Sequence, residues 1–108
     1  MLSPDSQSWY IARILMKCSV PVDGGDLFSE EFVLMKGSSQ QEVRTKAASK
    51  GESMNHSYAN DTGDRVEWTF QTVLEVKGTV DKELGDGAEL YARLCSEFPE
   101  LVPDDELP

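Results

Sequence analysis

The sequence predicts an α+β domain: a mostly antiparallel sheet of about five strands with one helix packed on one face. Three observations predict it. Several segments alternate apolar and polar residues as strands do, one segment between them opens with a helix-capping motif, and polar turns join neighbouring segments. The predicted order is strand, strand, helix, strand, strand, strand. This order is typical of a sheet that carries its helix on one side.

The first two predicted strands, 9–18 and 27–36, form an antiparallel hairpin around the turn at 20–26, which contains Pro and a Gly pair. A helix is the alternative for 9–18. One side of that segment is continuously apolar and the other is half polar, which predicts a central strand or one covered by a further layer or subunit. In the second strand, the alternation places Phe28, Phe32 and Leu34 on one side, and Val33 and Met35 on the other.

The only strong helix signal follows this hairpin. Ser39 and Glu42 match a capping box, which predicts a helix over 40–50. Gly51 is a candidate for the residue that ends the helix. The residues predicted to face the sheet are small: Val43, Ala47 and Ala48.

The strongest strand signal is the run 65–77, in which Val66, Trp68 and Phe70 alternate with polar residues. This period of two indicates a strand with one buried and one solvated face. Residues 52–59 predict a weaker strand, which the polar turn at 60–64 joins to this run as a second hairpin.

The length of the run 65–77 is unusual. At about 3.3 Å per residue it would span roughly 43 Å, about twice a usual strand. We therefore expect a bend, a bulge near 71–73, or an extension that pairs with another copy. Leu74 and Val76 continue the apolar side, and Val73 falls on the mixed side.

The last segment, 88–98, is ambiguous. Alternating spacing favours a strand over 88–96, which we predict, and helical spacing fits as well. The domain is then expected to span 9–98, between a flexible lead at 1–8 and an acidic, Pro-containing tail at 99–108.

Composition disfavours several classes of function. The net charge of −10 disfavours contact with nucleic acid and with anionic membranes, but it permits a basic protein partner. No apolar run approaches the length of a membrane span, and the opening residues do not match a secretory signal. We therefore expect a cytoplasmic protein.

The two cysteines, Cys18 and Cys95, fall in predicted strands and are expected to be small buried thiols, with a disulfide or redox pair as the alternative. The turn at 60–64 is similar to a calcium loop only in composition, because the alternating acidic spacing is missing. The sequence therefore predicts no metal and no cofactor.

His56 is the only histidine and so the only side chain that ordinarily titrates near neutral pH. A small hydrolase or ligand-binding enzyme centred on it would need a pocket that also holds Tyr58 and Arg93. Ser57 is its neighbour, but adjacent strand residues face opposite sides, which argues against a His–Ser couple. No catalytic residue is predicted, and this enzyme is the alternative function.

Polar residues on the run 65–77 would meet those of 88–96 if the two segments paired. Such a ladder indicates ordinary cross-strand charge pairing or a groove for a peptide or small anion. The candidate binding residues, including the histidine region, are His56, Tyr58, Arg65, Glu67, Tyr91 and Arg93.

The leading functional prediction is a non-enzymatic protein-interaction module that forms a homodimer, with a basic protein as a further candidate partner. It depends on the overlong run 65–77, the half-polar second side of 9–18 and the missing catalytic set. The candidate interface residues are Trp9, Ile11, Leu15 and Val73.

Four short motifs are spread along the chain: Trp9-Tyr10-x-Ala12, His56-Ser57-Tyr58-x-Asn60 with Gly63, Val66-x-Trp68-x-Phe70, and Asp86-Gly87-x-Glu89-x-Tyr91-x-Arg93. Together they resemble a family of short bacterial proteins, domain of unknown function 4288. The resemblance covers most of residues 9–96 and implies a stand-alone bacterial cytoplasmic protein. It implies no activity, cofactor or catalytic residue.

Overall fold

The computed structural model describes residues 7–19 and 27–99. Its elements are β1 (Ser8–Ser19), β2 (Leu27–Gly37), α1 (Gln40–Ser53), β3 (His56–Ala59) and β4 (Arg65–Gly78). The strands form one antiparallel sheet in the order β2-β1-β4-β3, and α1 packs on one of its faces. The α+β class is confirmed, but the sheet has four strands where about five were predicted.

The sheet has two faces with different cover. The helix face, on which α1 packs, carries the core. The outer face is the opposite one, where residues of the segment 79–99 contact β4. The buried core residues are Ala12, Ile14, Met16, Val43, Ala47, Val73 and Val76.

β1 lies inside the sheet, as predicted from its continuously apolar side and its half-polar second side. It pairs with β2 on one side and with β4 on the other. Its continuously apolar side faces α1, and Ile14 is fully buried there. The antiparallel hairpin of β1 and β2 is confirmed, whereas the turn at 20–26 lies outside the described residues.

The strand predicted over 88–96 is absent, and so is the alternative helix. β4 has no free side for another strand there, because β1 occupies one edge and β3 and α1 side chains occupy the other. The segment instead crosses the outer face, where the Lys77 ammonium donates to the Ala92 carbonyl at 3.2 Å. The side chains of this segment alternate in type, but its main chain does not pair with a strand.

β4 contains the predicted irregularity. Its pairing with β1 skips one residue at Gln71 and one at Leu74, and each bulge reverses the face on which later side chains lie. Val73 therefore lies in the core at 8% exposure, and Leu74 is exposed at 41%. The faces predicted for these two residues were wrong, because strict alternation cannot anticipate a bulge.

Side chains that belong to α1 or precede β3 bind the edge of β4 beyond its pairing with β3. The Arg44 guanidinium donates to the Val73 carbonyl at 3.0 Å, and the Gln40 amide donates to the Val76 carbonyl at 3.3 Å. The Phe70 N–H donates to the Asn55 side chain at 2.6 Å. Three main-chain groups on this edge of the long strand are therefore bonded within one chain.

α1 begins as predicted but ends later. The Glu42 N–H donates to Ser39 Oγ at 3.1 Å, while the Glu42 carboxylate reaches back to Ser38, one residue before the cap. The helix continues through Gly51 to Ser53. Gly51 does not end the helix; it is buried where the helix lies closest to the Phe70 ring.

The second hairpin, β3 to β4, is confirmed. The Asn60 side chain accepts hydrogen bonds from the N–H groups of Thr62 and Asp64, and Gly63 has a positive φ of 85°. An Asx turn of this kind explains why the polar stretch reverses the chain.

The two thiols are both free, but they differ in exposure. Cys18 is buried in β1 as predicted, whereas Cys95 is exposed and outside any strand. The prediction of two buried thiols is therefore wrong for Cys95. Most of the predicted lead 1–8 and of the predicted tail 99–108 lies outside the described residues.

Candidate functional site

Two surfaces gather chemically distinctive side chains. The first is an exposed apolar patch on the outer face of β2, here called the outer patch, formed by Phe28, Phe32 and Leu34, which are 52%, 60% and 43% exposed. The second is a cleft on the helix face, beyond the last turn of α1. Both lie at the margins of the sheet, where cover by other elements ends.

The outer patch follows from the period of two in β2. Phe32 pairs across the sheet with Arg13, and Leu34 pairs with Ile11, so their side chains project on the face opposite α1. Trp9 lies in the same row of the sheet as Lys36, whose ammonium is 5.2 Å from the indole centroid. Large apolar side chains next to one another on an open face are typical of a contact surface.

Arg13 lies at the centre of the outer face. Its guanidinium forms an ion pair with Glu30 on β2 and a second, at 3.4 Å, with Glu75 on β4. It also lies 5.8 Å from the centroid of Phe32. The Tyr91 hydroxyl donates to the same Glu75 oxygen at 2.7 Å. Arg13 therefore links three strands, and Tyr91 attaches the segment 79–99 to them.

This network shifts the pKa values of its members. The hydrogen bond from Tyr91, with a smaller contribution from Arg13, lowers the pKa of Glu75, and the same bond raises the pKa of Tyr91. The bond to Glu30 raises the pKa of Arg13. Solvent screens these exposed pairs, so the network fixes side-chain positions more than it adds stability.

The cleft on the helix face, here called the helix-end cleft, has a volume of about 330 Å³. The sheet supplies one side of it and Met54, the C-cap of α1, supplies another. α1 leaves this end of the sheet uncovered because the helix stops there. The lining residues are Met16, Ser29, Glu31, Met54, His56 and Trp68.

His56 lies on the short edge strand β3. Its Nδ1 is 2.9 Å from the Met54 carbonyl oxygen, which can only accept, so Nδ1 carries a proton. The ring stacks on Tyr58 with centroids 5.9 Å apart. Ser57 lies on the opposite face, where its hydroxyl accepts from Arg65 at 2.7 Å. Ser57 and His56 therefore do not form a catalytic couple.

The six candidate binding residues separate into distinct places. His56 and Tyr58 share the helix face with Trp68 and Val66, their partners in β4. Arg65 and Glu67 form an exposed ion pair of 3.1 Å on the outer face. The other two lie in the segment 79–99, where Tyr91 contacts the outer face at Glu75 and Arg93 is exposed.

The predicted ladder between the polar side of β4 and a last strand is therefore wrong. A single pocket holding His56, Tyr58 and Arg93 does not form either, because the histidine lines a cleft on the helix face whereas Arg93 follows Tyr91 over the outer face. The described residues therefore do not form the pocket that a hydrolase or ligand-binding enzyme centred on these three residues would need.

The four candidate interface residues are also divided. Ile11 and Val73 are buried within the chain, at 7% and 8% exposure. Trp9 and Leu15 are half-buried and lie on the outer face, next to the outer patch. Val73 cannot reach a partner from the core, and the reason is the bulge that turned it inward.

Sequence reasoning missed the residues that now stand out, although part of the signal was present. The shared parity of Phe28, Phe32 and Leu34 was visible, but periodicity does not tell which side of a strand is covered. Glu31 on β2 and Trp68 on β4 lie far apart in sequence. They line the same cleft only because β1 pairs with both of these strands.

The described residues provide neither a metal-binding group nor a membrane-spanning helix. None of the groups formed by His, Cys, Asp and Glu has three members placed to hold a metal ion. The one described helix is too short and too polar to cross a membrane.

The family model of a domain of unknown function (DUF4288) matches residues 9–92, more than half of the chain. No curated protein and no solved structure matches the chain. The matched region contains β1 from Trp9 onward, the other three described strands, α1 and the Tyr91 contact with the outer face. On this match, the chain belongs to the DUF4288 family.

Proposed function

We propose that this protein is a non-enzymatic interaction module that forms a homodimer by pairing β2 with β2 of a second copy. The observation that carries the proposal is the edge of β2. Within the described residues, β2 pairs only with β1, and its full length from Leu27 to Gly37 has no strand on the other side. An unpaired edge with an apolar face favours pairing with another chain.

The direction of the main chain in β2 follows from the hydrogen bonds around it. The Thr79 N–H donates to the Trp9 carbonyl on the β4 side of β1, so the next residue, Tyr10, bonds toward β2 and Met35. Lys36 then points away, and its carbonyl is bound by a lysine of α1. By the same alternation, the main-chain N–H and C=O groups of Phe28, Glu30, Phe32 and Leu34 point away from β1, toward the free edge of the sheet.

One antiparallel register pairs these residues without conflict. If Val33 faces Val33 of the second copy, Phe32 faces Leu34 and Glu30 faces Lys36 in both directions. If the centre of the pairing moves by two residues, from Val33 to Glu31, the Glu31 side chains of the two copies face each other. Like charges directly opposite each other are destabilising. Charge complementarity therefore selects the register centred on Val33.

The test measures mass by light scattering at low micromolar concentration, where we expect twice 12.0 kDa. Phe32→Glu should give a monomer, because a carboxylate would replace the apolar side chain that faces Leu34 of the second copy. Leu74→Glu is the matched control, since Leu74 is also exposed but lies on β4, and it should remain dimeric. A monomeric wild-type chain, or a dimeric Phe32→Glu variant, contradicts the proposal.

A charge exchange tests the register itself. Lys36→Glu would place two carboxylates opposite each other, and Glu30→Lys would do the same with two cations. Each should weaken the dimer, and the double variant should restore it. If both single variants dimerise as the wild type does, the register centred on Val33 is wrong.

A basic protein is the second candidate partner, and the net charge of −10 is the observation that favours it. Capture of such a partner should weaken steeply as salt increases, because exposed charges are screened. Binding that is independent of salt would contradict an electrostatic partner surface.

A further inference from the structure

The helix-end cleft is independent of the outer patch, since it lies on the other face of the sheet. Its walls are mostly apolar, with Met16 and Trp68 from the sheet and Met54 from the end of α1. Its volume of about 330 Å³ is at the lower end of the range of small-molecule sites, which is roughly 300–1,000 Å³. A ligand of modest size with an apolar body fits such a space.

The fixed charge of the cleft is negative. The Glu31 carboxylate lines it, and the Ser29 hydroxyl holds that carboxylate in place with a hydrogen bond of 2.7 Å. The C-terminal end of α1, which carries a partial negative charge, ends at Met54 on the rim. None of the described residues that line the cleft is Lys or Arg.

Two aromatic side chains add to this preference. The face of an indole attracts cations, and Trp68 lines the cleft. His56 donates from Nδ1 to the Met54 carbonyl, so Nε2 of the neutral ring is an acceptor. A carboxylate, an indole and an imidazole acceptor around one apolar space favour a ligand that combines a hydrogen-bonding cation with an apolar group.

We propose that the helix-end cleft binds a small organic ammonium ion. The ammonium group pairs with Glu31 and donates to His56 Nε2, and the apolar part lies against Met54 and Trp68. The proposal does not depend on dimerisation, because Glu31 projects on the helix face whereas the outer patch lies on the opposite face.

The experiment is an NMR titration of the full chain with phenylethylammonium chloride. Of the two tryptophans, Trp68 lines the cleft and Trp9 lies on the outer face, so their indole N–H signals report on the two faces separately. We expect the Trp68 signal to move in a saturable manner while the Trp9 signal stays in place. The neutral analogue 2-phenylethanol should bind about tenfold more weakly, the effect of one charge-assisted hydrogen bond.

Glu31→Gln removes the negative charge and keeps the size of the side chain, so it should weaken phenylethylammonium binding by about tenfold. Glu67→Gln is the matched control, because Glu67 precedes Trp68 in β4 but lies on the outer face, and it should leave the affinity unchanged. Equal binding of the ammonium and the alcohol, an unchanged affinity in Glu31→Gln, or signal changes confined to the outer face would each overturn the proposal.

Discussion

Arg13 shows how one side chain organises the outer face. It projects from the central strand β1 and reaches carboxylates on both neighbouring strands, Glu30 and Glu75. A planar guanidinium can direct separate N–H groups to two acceptors, which a lysine ammonium does with less geometric definition. Tyr91 completes the network from a segment without regular structure, so this hydrogen bond is a specific attachment of that segment to the sheet.

Tyr91→Phe removes the hydroxyl that donates to Glu75, so the pKa of Glu75 should rise toward its ordinary value of 4.5. The carboxyl-carbon NMR signal of Glu75, followed through a pH titration, measures this change. Tyr58→Phe is the control, because Tyr58 contacts His56 on the other face. An unchanged pKa of Glu75 in Tyr91→Phe would show that the hydroxyl does not bind the carboxylate in solution.

The directions of the pKa shifts of Glu75 and Tyr91 determine how the stability of the fold depends on pH. Because the pKa of Glu75 is lowered in the folded chain, its bonds add stability above its ordinary pKa of 4.5, and this contribution is lost as the pH falls through the folded pKa. The pKa of Tyr91 is raised, so its contribution is present below 10.0 and is lost as the pH rises through the folded value. Tyr91→Phe should reduce both dependences.

At the scale of elements, the contact of α1 with β4 depends on a glycine within the helix. A Cβ on Gly51 would lie 2.3 Å from Cδ1 of Phe70, which is far too close. A glycine in a helix usually costs about 0.5–1 kcal/mol relative to alanine, so close packing rather than helix propensity explains the residue at this position. The same contact explains why α1 does not end where the sequence indicated.

Gly51→Ala should therefore lower the free energy of unfolding, although alanine is the better helix former. We expect a net loss of about 1–2 kcal/mol, because overpacking usually costs about 1–3 kcal/mol and the gain in propensity offsets only part of it. Urea unfolding measures the change. Ser49→Ala, at an exposed position of the same helix, should stay within about 0.5 kcal/mol of the wild type. A Gly51→Ala variant as stable as the wild type would refute the packing argument.

Local signals predicted the elements whose causes are local. The capping residue Ser39, the Asx turn at Asn60 and the alternation in β1 each act within a few residues, and the structure confirms the start of α1 and both hairpins. The length of the run 65–77 predicted a bulge near 71–73 only as one of three possibilities. The number of bulges and their places at Gln71 and Leu74 depend on the pairing of β4 with β1, a strand that lies far away in sequence.

The candidate sites were harder to predict than the elements, for a related reason. A site joins residues through the sheet order, and the order β2-β1-β4-β3 places β2 at one edge and β3 at the other. His56 was singled out because it is the only histidine, yet its neighbours Met16 and Glu31 come from β1 and β2. The spacing of these residues in the sequence does not indicate that they lie next to one another in the cleft.

At the scale of the whole molecule, the free strand edge that favours self-association belongs to β2 and not to β4. The length of β4 predicted an open surface, but α1 side chains and β3 bind the edge of that strand within one chain. Among the described elements, no strand pairs with the free edge of β2, where a lysine of α1 binds only the Lys36 carbonyl, and the outer side of β2 carries Phe32, the most exposed apolar residue of the sheet at 60%. β2, and not β4, is therefore the strand through which we expect the homodimer to form.

Salt should strengthen the homodimer. Two chains that each carry a net charge of −10 repel each other, and the range of this repulsion falls as the Debye length shrinks from about 30 Å at 0.01 M to about 8 Å at 0.15 M salt. The ion pairs expected between Glu30 and Lys36 of the two copies act in the opposite sense, but exposed pairs contribute little. We expect the dissociation constant, measured by sedimentation equilibrium, to fall at least about threefold over this range of salt.

This direction also separates the two partner classes. A basic partner would dissociate as salt increases, because its attraction to an acidic chain is screened over the same distances. The Phe32→Glu variant should remain monomeric throughout the salt series, which excludes non-specific association at high ionic strength as the cause. If the wild-type dimer instead weakened with salt, charge pairs rather than apolar contact and strand pairing would hold the copies together, and the outer patch would lose its assigned role.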